Sequence, residues 1–436
     1  MKKEEKYIID LLLQDFLKLE KYRVVCKENY HIYFGNKELI IKNSFFNLFG
    51  NDNSYIQDSY LPDKIQYLDN PFENNNSVPI IYGENRWKIE KDRIFCGLDI
   101  FASSFFMLSR WEELILPKDK LGRCDENTMY VVKNDIYNRP IVNEYLELLR
   151  SILVYLEVDL PSSNRIFQPI ITHDIDDLFR YDFKNFCRNL LGDLLHRKSI
   201  SIMFSTIKDY CNFKLRKVKD PFDTFDYLMD LSDRLGFKNE FYFKASLSRE
   251  NDSTYDIFDA RVKGIMEKIN RRDHLIGFHP SKNTFNNSEQ FRIELERLKS
   301  LGFKISGGRQ HFLLYNLPET INVWKDNGLG YDTGLGFYDL AGFRCGTCYN
   351  YKFWNALKRK ECPIIIKPLI LMEGALLTNK DYKLFGEVEK EMFSLVDQVK
   401  KYNGDFVLLW HNDNFKRYAS REYAYIYEDV LNYIAK

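Results

Sequence analysis

From residue 165 onwards, short apolar runs alternate with amphipathic stretches of helical length. The runs are FQPIITH, NEFYFKA, HLIGFH, FKISGG, GLGYDT, CPIIIKPLILME and DFVLLWH. The stretches between them include FDTFDYLMDLSDRLG, DIFDARVKGIMEKINRR, SEQFRIELERLKSLG and YKLFGEVEKEMFSLVDQVKKYNG. Their apolar residues recur every three or four positions, and several end in glycine after a charged last turn, a common helix stop. Strand, helix, strand in this rhythm predicts βαβ units around a parallel sheet. About seven strands in about 270 residues suit a distorted (β/α) barrel, with a doubly wound open sheet as the alternative.

Residues 1–160 read differently. YRVVCKENYHIYFG and KELIIKN are short strand patterns separated by turn residues. DIFASSFFMLSRWEEL predicts a helix opened by an aspartate, and IVNEYLELLRSILVYL a second, strongly amphipathic one. The segment LEVDLPSSNRIFQP, with two prolines and a polar cluster, punctuates the chain near residue 160. The expected division is a mixed α/β domain over 1–160 and an α/β barrel domain over 165–436. The first domain shows no catalytic constellation; His31 lies in a strand pattern and reads as a surface or edge residue.

Charge narrows the partners. Lys and Arg number 63 and Asp and Glu 63, so the net charge of the 436-residue chain is zero. No basic excess draws the whole chain to nucleic acid, although neutrality leaves room for a local patch. The N-terminal MKKEEKYIIDLLLQDFLKLEKY is amphipathic and lacks the uninterrupted apolar core of a signal peptide. No run is long enough to span a bilayer. A cytoplasmic protein without stable membrane insertion is expected. Eight scattered cysteines are expected to be reduced; the Cys345/Cys348 pair has no second CxxC or histidine pair at finger spacing. No GxGxxG or GxxxxGK[ST] follows a strand, so nucleotide cradling is not supported.

The chemistry concentrates in IITHDIDD, residues 170–177, where an apolar run ends in a histidine and three aspartates. In an extended segment Asp174 and Asp176 point the same way. Two bare carboxylates so placed repel; a dication would take one as ligand and leave the other as a base. Only seven histidines are present, and His173, His279, His311 and His411 fall at or just beyond strand ends. That edge is where sites form in parallel α/β folds. In LIGFHPSKNTF, a helical turn would put His279 and Asn283 on one face, although an amide oxygen is a poorer ligand for zinc than an imidazole.

IITHDIDD, LIGFHPSKN, GGRQHFLLY, GFRCGTCY and LLWHNDNF together resemble the polysaccharide deacetylases of the NodB-homology, carbohydrate esterase family four type. The resemblance covers residues 165–436. The earlier part resembles an uncharacterised domain that accompanies such deacetylases in Bacteroidetes-like proteins. The resemblance implies a divalent metal, zinc first among the transition cations. It implies Asp174 as base, Asp176 and His279 as ligands, Arg309 beside Asp174, and His411 as acid. Asn283 stands where the family has a second ligand histidine, with His311 the alternative third ligand. Trp410, Tyr315 and Phe343 are candidate platforms for a sugar ring.

The expected function is therefore metal-dependent hydrolysis of an N- or O-acetyl group on a sugar or glycan precursor. The alternatives are a catalytically impaired carbohydrate-binding or scaffold protein on the same fold, and a hydrolase of small non-sugar amides. His173–Asp174 is an HD pair, but HD phosphohydrolase sites are helical and this pair ends a strand.

Overall fold

A computed structural model describes residues 1–73, 77–162, 164–195, 200–246, 252, 254–377, 385–415 and 422–436. Two compact units are present. One comprises Met1–Gln168, Phe312–Leu371 and Ser394–Val407; the other comprises Pro169–His311, Met372–Phe393 and Leu408–Lys436.

In the first unit, helix α1 (Lys3–Ile9) continues into a wider π turn over Asp10–Phe16. Strands β1 (Arg23–Cys26), β2 (Asn29–Phe34) and β3 (Lys37–Lys42) form an antiparallel meander. A small hairpin joins β4 (Gln66–Asp69) to β5 (Ser77–Ile80). Then β6 (Gly83–Ile89) and β7 (Arg93–Leu98) complete a five-stranded sheet of order β1-β2-β3-β7-β6. Asp99 caps helix α2 (Ile100–Ser109) by accepting from Ala102 N–H. Helices α3 (Tyr130–Lys133) and α4 (Ile141–Tyr155) follow. His31 is half-buried, with Nδ1 2.7 Å from Glu38. Arg110, Glu112, Glu113 and Arg344 form a buried ion network with contacts of 2.6–2.8 Å. Cys345 and Cys348 are buried free thiols.

The second unit is built on β8 (Gln168–Ile175), followed by helices α5 (Phe183–Leu195), α6 (Ile200–Lys214) and α7 (Phe225–Leu235). Next come β9 (Asn239–Phe243), α8 (Ala260–Arg271), β10 (Leu275–Phe278), α9 (Ser288–Lys299) and the two-residue β11 (Gly307–Gly308). Strands β8, β9, β10 and β11 pair in parallel. β9 is buried at every position and β8 from Ile170 onwards. Burial on both faces is what a continuous apolar run in a parallel sheet predicts. Leu408 and Trp410 flank β8 on its other side: the Thr172 hydroxyl donates to Leu408 O, and Trp410 N–H donates to Thr172 O. β11 must be glycine where it is, since a Cβ on Gly308 would run into the Phe278 carbonyl.

The mixed α/β character and the parallel pairing of these strands agree with the expectation; closure into the distorted (β/α) barrel is not shown among the described residues. In the first unit, Tyr351–Asn355 pairs antiparallel with Lys360–Ile366, with the register broken between Lys352 and Trp354.

Candidate active site

Each strand of the second unit releases a polar side chain at its C-terminal end. β8 yields Asp174 and, just past its end, Asp176. β9 is followed by Lys244, β10 by His279, and β11 by Arg309 and His311. His411 follows the strand Asp405–Leu409. All of them gather at the end of the sheet where ligands bind in parallel α/β folds.

Asp176 is the centre of the cluster. Its Oδ1 lies 3.3 Å from His279 Nε2 and 3.3 Å from His311 Nε2. One ligand atom from each of Asp176, His279 and His311 falls within 4.8 Å of the others. The tautomers follow from the neighbours. His279 Nδ1 is 2.8 Å from the Arg309 carbonyl, which only accepts, so Nδ1 carries the proton. Nε2 then holds a lone pair; it is buried and, among the described residues, makes no hydrogen bond of ordinary geometry. Burial lowers the His279 pKa against the pull of Asp174, which keeps the ring neutral. His311 Nε2 is 3.1 Å from the Lys244 ammonium, which only donates, so His311 Nε2 is also the acceptor nitrogen. Its Nδ1 faces Asp252 Oδ2 at 3.4 Å.

Asp174 is nearly inaccessible, at 2% exposure, yet charged. Burial alone would raise its pKa; the Arg309 guanidinium overrides this and holds it below the usual carboxylate range. Arg309 Nη1 meets Asp174 Oδ1 at 2.8 Å, and Nη2 donates to Thr172 Oγ1 at 2.8 Å. His411 completes the site, with Nε2 3.7 Å from Asp176 Oδ2 and Nδ1 2.7 Å from Glu373 Oε1. Burial works against the imidazolium, and the Glu373 carboxylate outweighs it, pushing the His411 pKa up to about 10. Glu373 is itself fixed by His411 N–H at 2.9 Å and Asn414 Nδ2 at 2.5 Å.

The remaining sequence candidates lie elsewhere. Asn283 is exposed, on the 3₁₀ turn Lys282–Thr284. Ser281 is extended at φ −62° and ψ 162°, so His279 and Asn283 do not share the helical face that the i, i+4 spacing supposed. His173 is buried, stacked on Phe241 at 4.9 Å, with Nδ1 2.7 Å from Trp410 O. The Trp410 ring packs on Phe415 and Tyr427 and is buried. Tyr315 and Phe343 are buried in the first unit, where the Tyr315 hydroxyl donates to Asp332 at 2.6 Å. None of these three rings offers an exposed face to a sugar. Sequence reasoning did not single out Lys244, Asp252 or Glu373. Lys244 and Glu373 end the runs NEFYFKA and CPIIIKPLILME, the same strand-tip signal that drew attention to the histidines.

Comparisons with known proteins add little to this geometry. The model of a family of unknown function, DUF7033, matches residues 1–157. The chain has no match among curated proteins. A crystal structure of a provisionally assigned polysaccharide deacetylase from Mycobacterium smegmatis is a distant neighbour. It is 13% identical with a TM-score of 0.40, over 63% of this chain and 86% of that one. A likeness at that level carries no functional argument.

Proposed function

We propose that this chain is a metal-dependent hydrolase that removes an N- or O-linked acetyl group from a sugar or glycan precursor. One observation carries the reading: the Nε2 atoms of two imidazoles, His279 and His311, converge on Asp176 Oδ1, beside a second carboxylate, Asp174, kept charged by Arg309. Asp176, His279 and His311 fit a dication, since a carboxylate and two neutral imidazoles are a donor set that zinc and its neighbours accept. Asn283 plays no part in that set. A bound dication would supply Lewis acidity, polarising an acyl carbonyl and lowering the pKa of water.

The protein's own groups do the rest. Asp174, oriented by Arg309, accepts a proton from the attacking water. His411, held protonated by Glu373, donates one to the departing amine or alkoxide. The test is acetate release from acetylated chito-oligosaccharides by dication-loaded protein. Release that disappears in Asp174→Asn supports the reading; no release from any acetylated sugar sinks it.

Lys244 favours a second reading. Its ammonium stands 2.8 Å from Asp176 Oδ1 and already neutralises that carboxylate. A carbohydrate-binding protein with no metal would have such a site. A dication titration separates the two, because that protein would take up none.

A further inference from the structure

The helical hairpin between β8 and β9 serves none of this chemistry. Its base is rigid: Asp220 accepts from Arg180 N–H and Phe222 N–H through Oδ1, and from Tyr181 N–H through Oδ2, at 3.0–3.1 Å. One carboxylate thereby ties the start of the excursion to its end. Phe186 stacks on Tyr210 at 3.9 Å and holds α5 against α6.

The outer surface is the anomaly. Phe183, Leu191, Leu194, Leu195, Ile200 and Phe204 are each 54–68% exposed. Leu215 and Val218 continue the apolar surface beyond α6. Single exposed apolar residues are ordinary, but a cluster of this density on one hairpin marks an interaction surface. Charge is concentrated in the same segment. From Arg180 to Lys219 the sequence holds ten Lys and Arg (180, 184, 188, 197, 198, 208, 214, 216, 217, 219) against three Asp (182, 193, 209). Ten minus three is +7, in a chain whose net charge is zero. Lys214, Arg216, Lys217 and Lys219 line a cleft of about 530 Å³ beside Phe213 and Val218.

We infer that this hairpin docks on the surface of an anionic phospholipid bilayer. Leucine and phenylalanine side chains interleaved with lysine and arginine are what an interfacial helix needs. The apolar groups enter the acyl boundary, and the cations meet phosphate headgroups. A protein partner would leave the +7 excess without a reason, and nucleic acid would leave the exposed leucines without one. No helix among the described residues is long and apolar enough to cross a membrane, so the contact is peripheral. The hairpin follows the end of β8, with α5 beginning six residues beyond Asp177, so the bilayer would lie against the strand-tip edge of this unit. The inference stands whether or not the site hydrolyses acetyl groups.

Co-sedimentation of the full chain with vesicles tests it. Vesicles of phosphatidylcholine mixed with phosphatidylglycerol should pellet the protein at low salt, at least about tenfold more strongly than phosphatidylcholine alone, and high salt should release it. Reversing Lys214, Arg216, Lys217 and Lys219 to Glu, or the pair Leu194→Glu and Phe204→Glu, should each abolish pelleting without moving the thermal midpoint. If a variant unfolds, the lipid and salt comparison on the unaltered chain decides alone. Failure to pellet with phosphatidylglycerol vesicles at low salt overturns the inference. So does pelleting that neither salt nor lipid charge changes. A dimer that Leu194→Glu with Phe204→Glu dissolves, without vesicle binding, would assign the face to self-association instead and also overturn it.

Discussion

The Lys244 ammonium lies 2.8 Å from Asp176 Oδ1, the same oxygen that His279 Nε2 and His311 Nε2 each approach at 3.3 Å. The lysine side chain is 3% exposed, so this cation is built into the site. It compensates Asp176 when no dication is bound, and a dication must compete with it for that carboxylate. Lys244→Met should therefore tighten dication binding about tenfold or more, equivalent to about 1.4 kcal/mol. It should also lower the thermal midpoint of the metal-free protein, because it strands a carboxylate. Calorimetric titration reads the first effect. An affinity that is unchanged or weaker would show that Lys244 does not compete.

The two aspartates should separate by function. Asp174→Asn should cut acetate release by about 10² to 10⁴, the usual worth of a general base, and change dication affinity little. Asp176→Asn should abolish dication binding itself. Equal loss of binding in both variants would refute the division of roles.

Glu373 and His411 give a pH signature. The folded His411 pKa of about 10 lies above its unfolded value, so its stabilisation is complete at acid pH and is lost as pH rises through about 10. If protonated His411 is the acid, activity should fall on the alkaline side with that group. Glu373→Gln should move the alkaline limb down toward neutrality. A limb that does not move would exclude His411 as the titrating acid.

These roles were unevenly legible in the amino-acid order. Asp174 and Asp176 could be placed because a strand has period two, and the histidines because each closes an apolar run. Asn283 was not so readable: the i, i+4 relation holds only on an α-helix, and Pro280 with the extended Ser281 breaks that geometry. Lys244 and Glu373 sat at strand tips in plain view, but their use depends on partners 38 to 68 residues away. The aromatic residues were ambiguous for the converse reason. Trp410, Tyr315 and Phe343 follow apolar runs, and only the packing shows that their rings are buried.

His173 offers a stability test independent of function. Burial lowers its pKa from 6.5 to about 4, despite the hydrogen bond to Trp410 O. A depressed imidazole contributes stability that is present above its unfolded pKa and is lost as pH falls from 6.5 toward 4. The loss should reach about 3 kcal/mol at most, at about 1.4 kcal/mol per unit. His173→Asn keeps a donor for Trp410 O and does not titrate. Denaturant midpoints of this variant should flatten across that window, even though the smaller side chain lowers stability overall. An unchanged slope would contradict the assignment.

The central claim is a dication held by Asp176, His279 and His311. Calorimetric titration with zinc across the unaltered chain, His311→Gln and Asn283→Ala tests it most directly. The account predicts one zinc per chain, binding lost or weakened at least about a hundredfold in His311→Gln, and no change in Asn283→Ala. Binding that survives His311→Gln but fails in Asn283→Ala, or no zinc uptake by the unaltered chain, would contradict it.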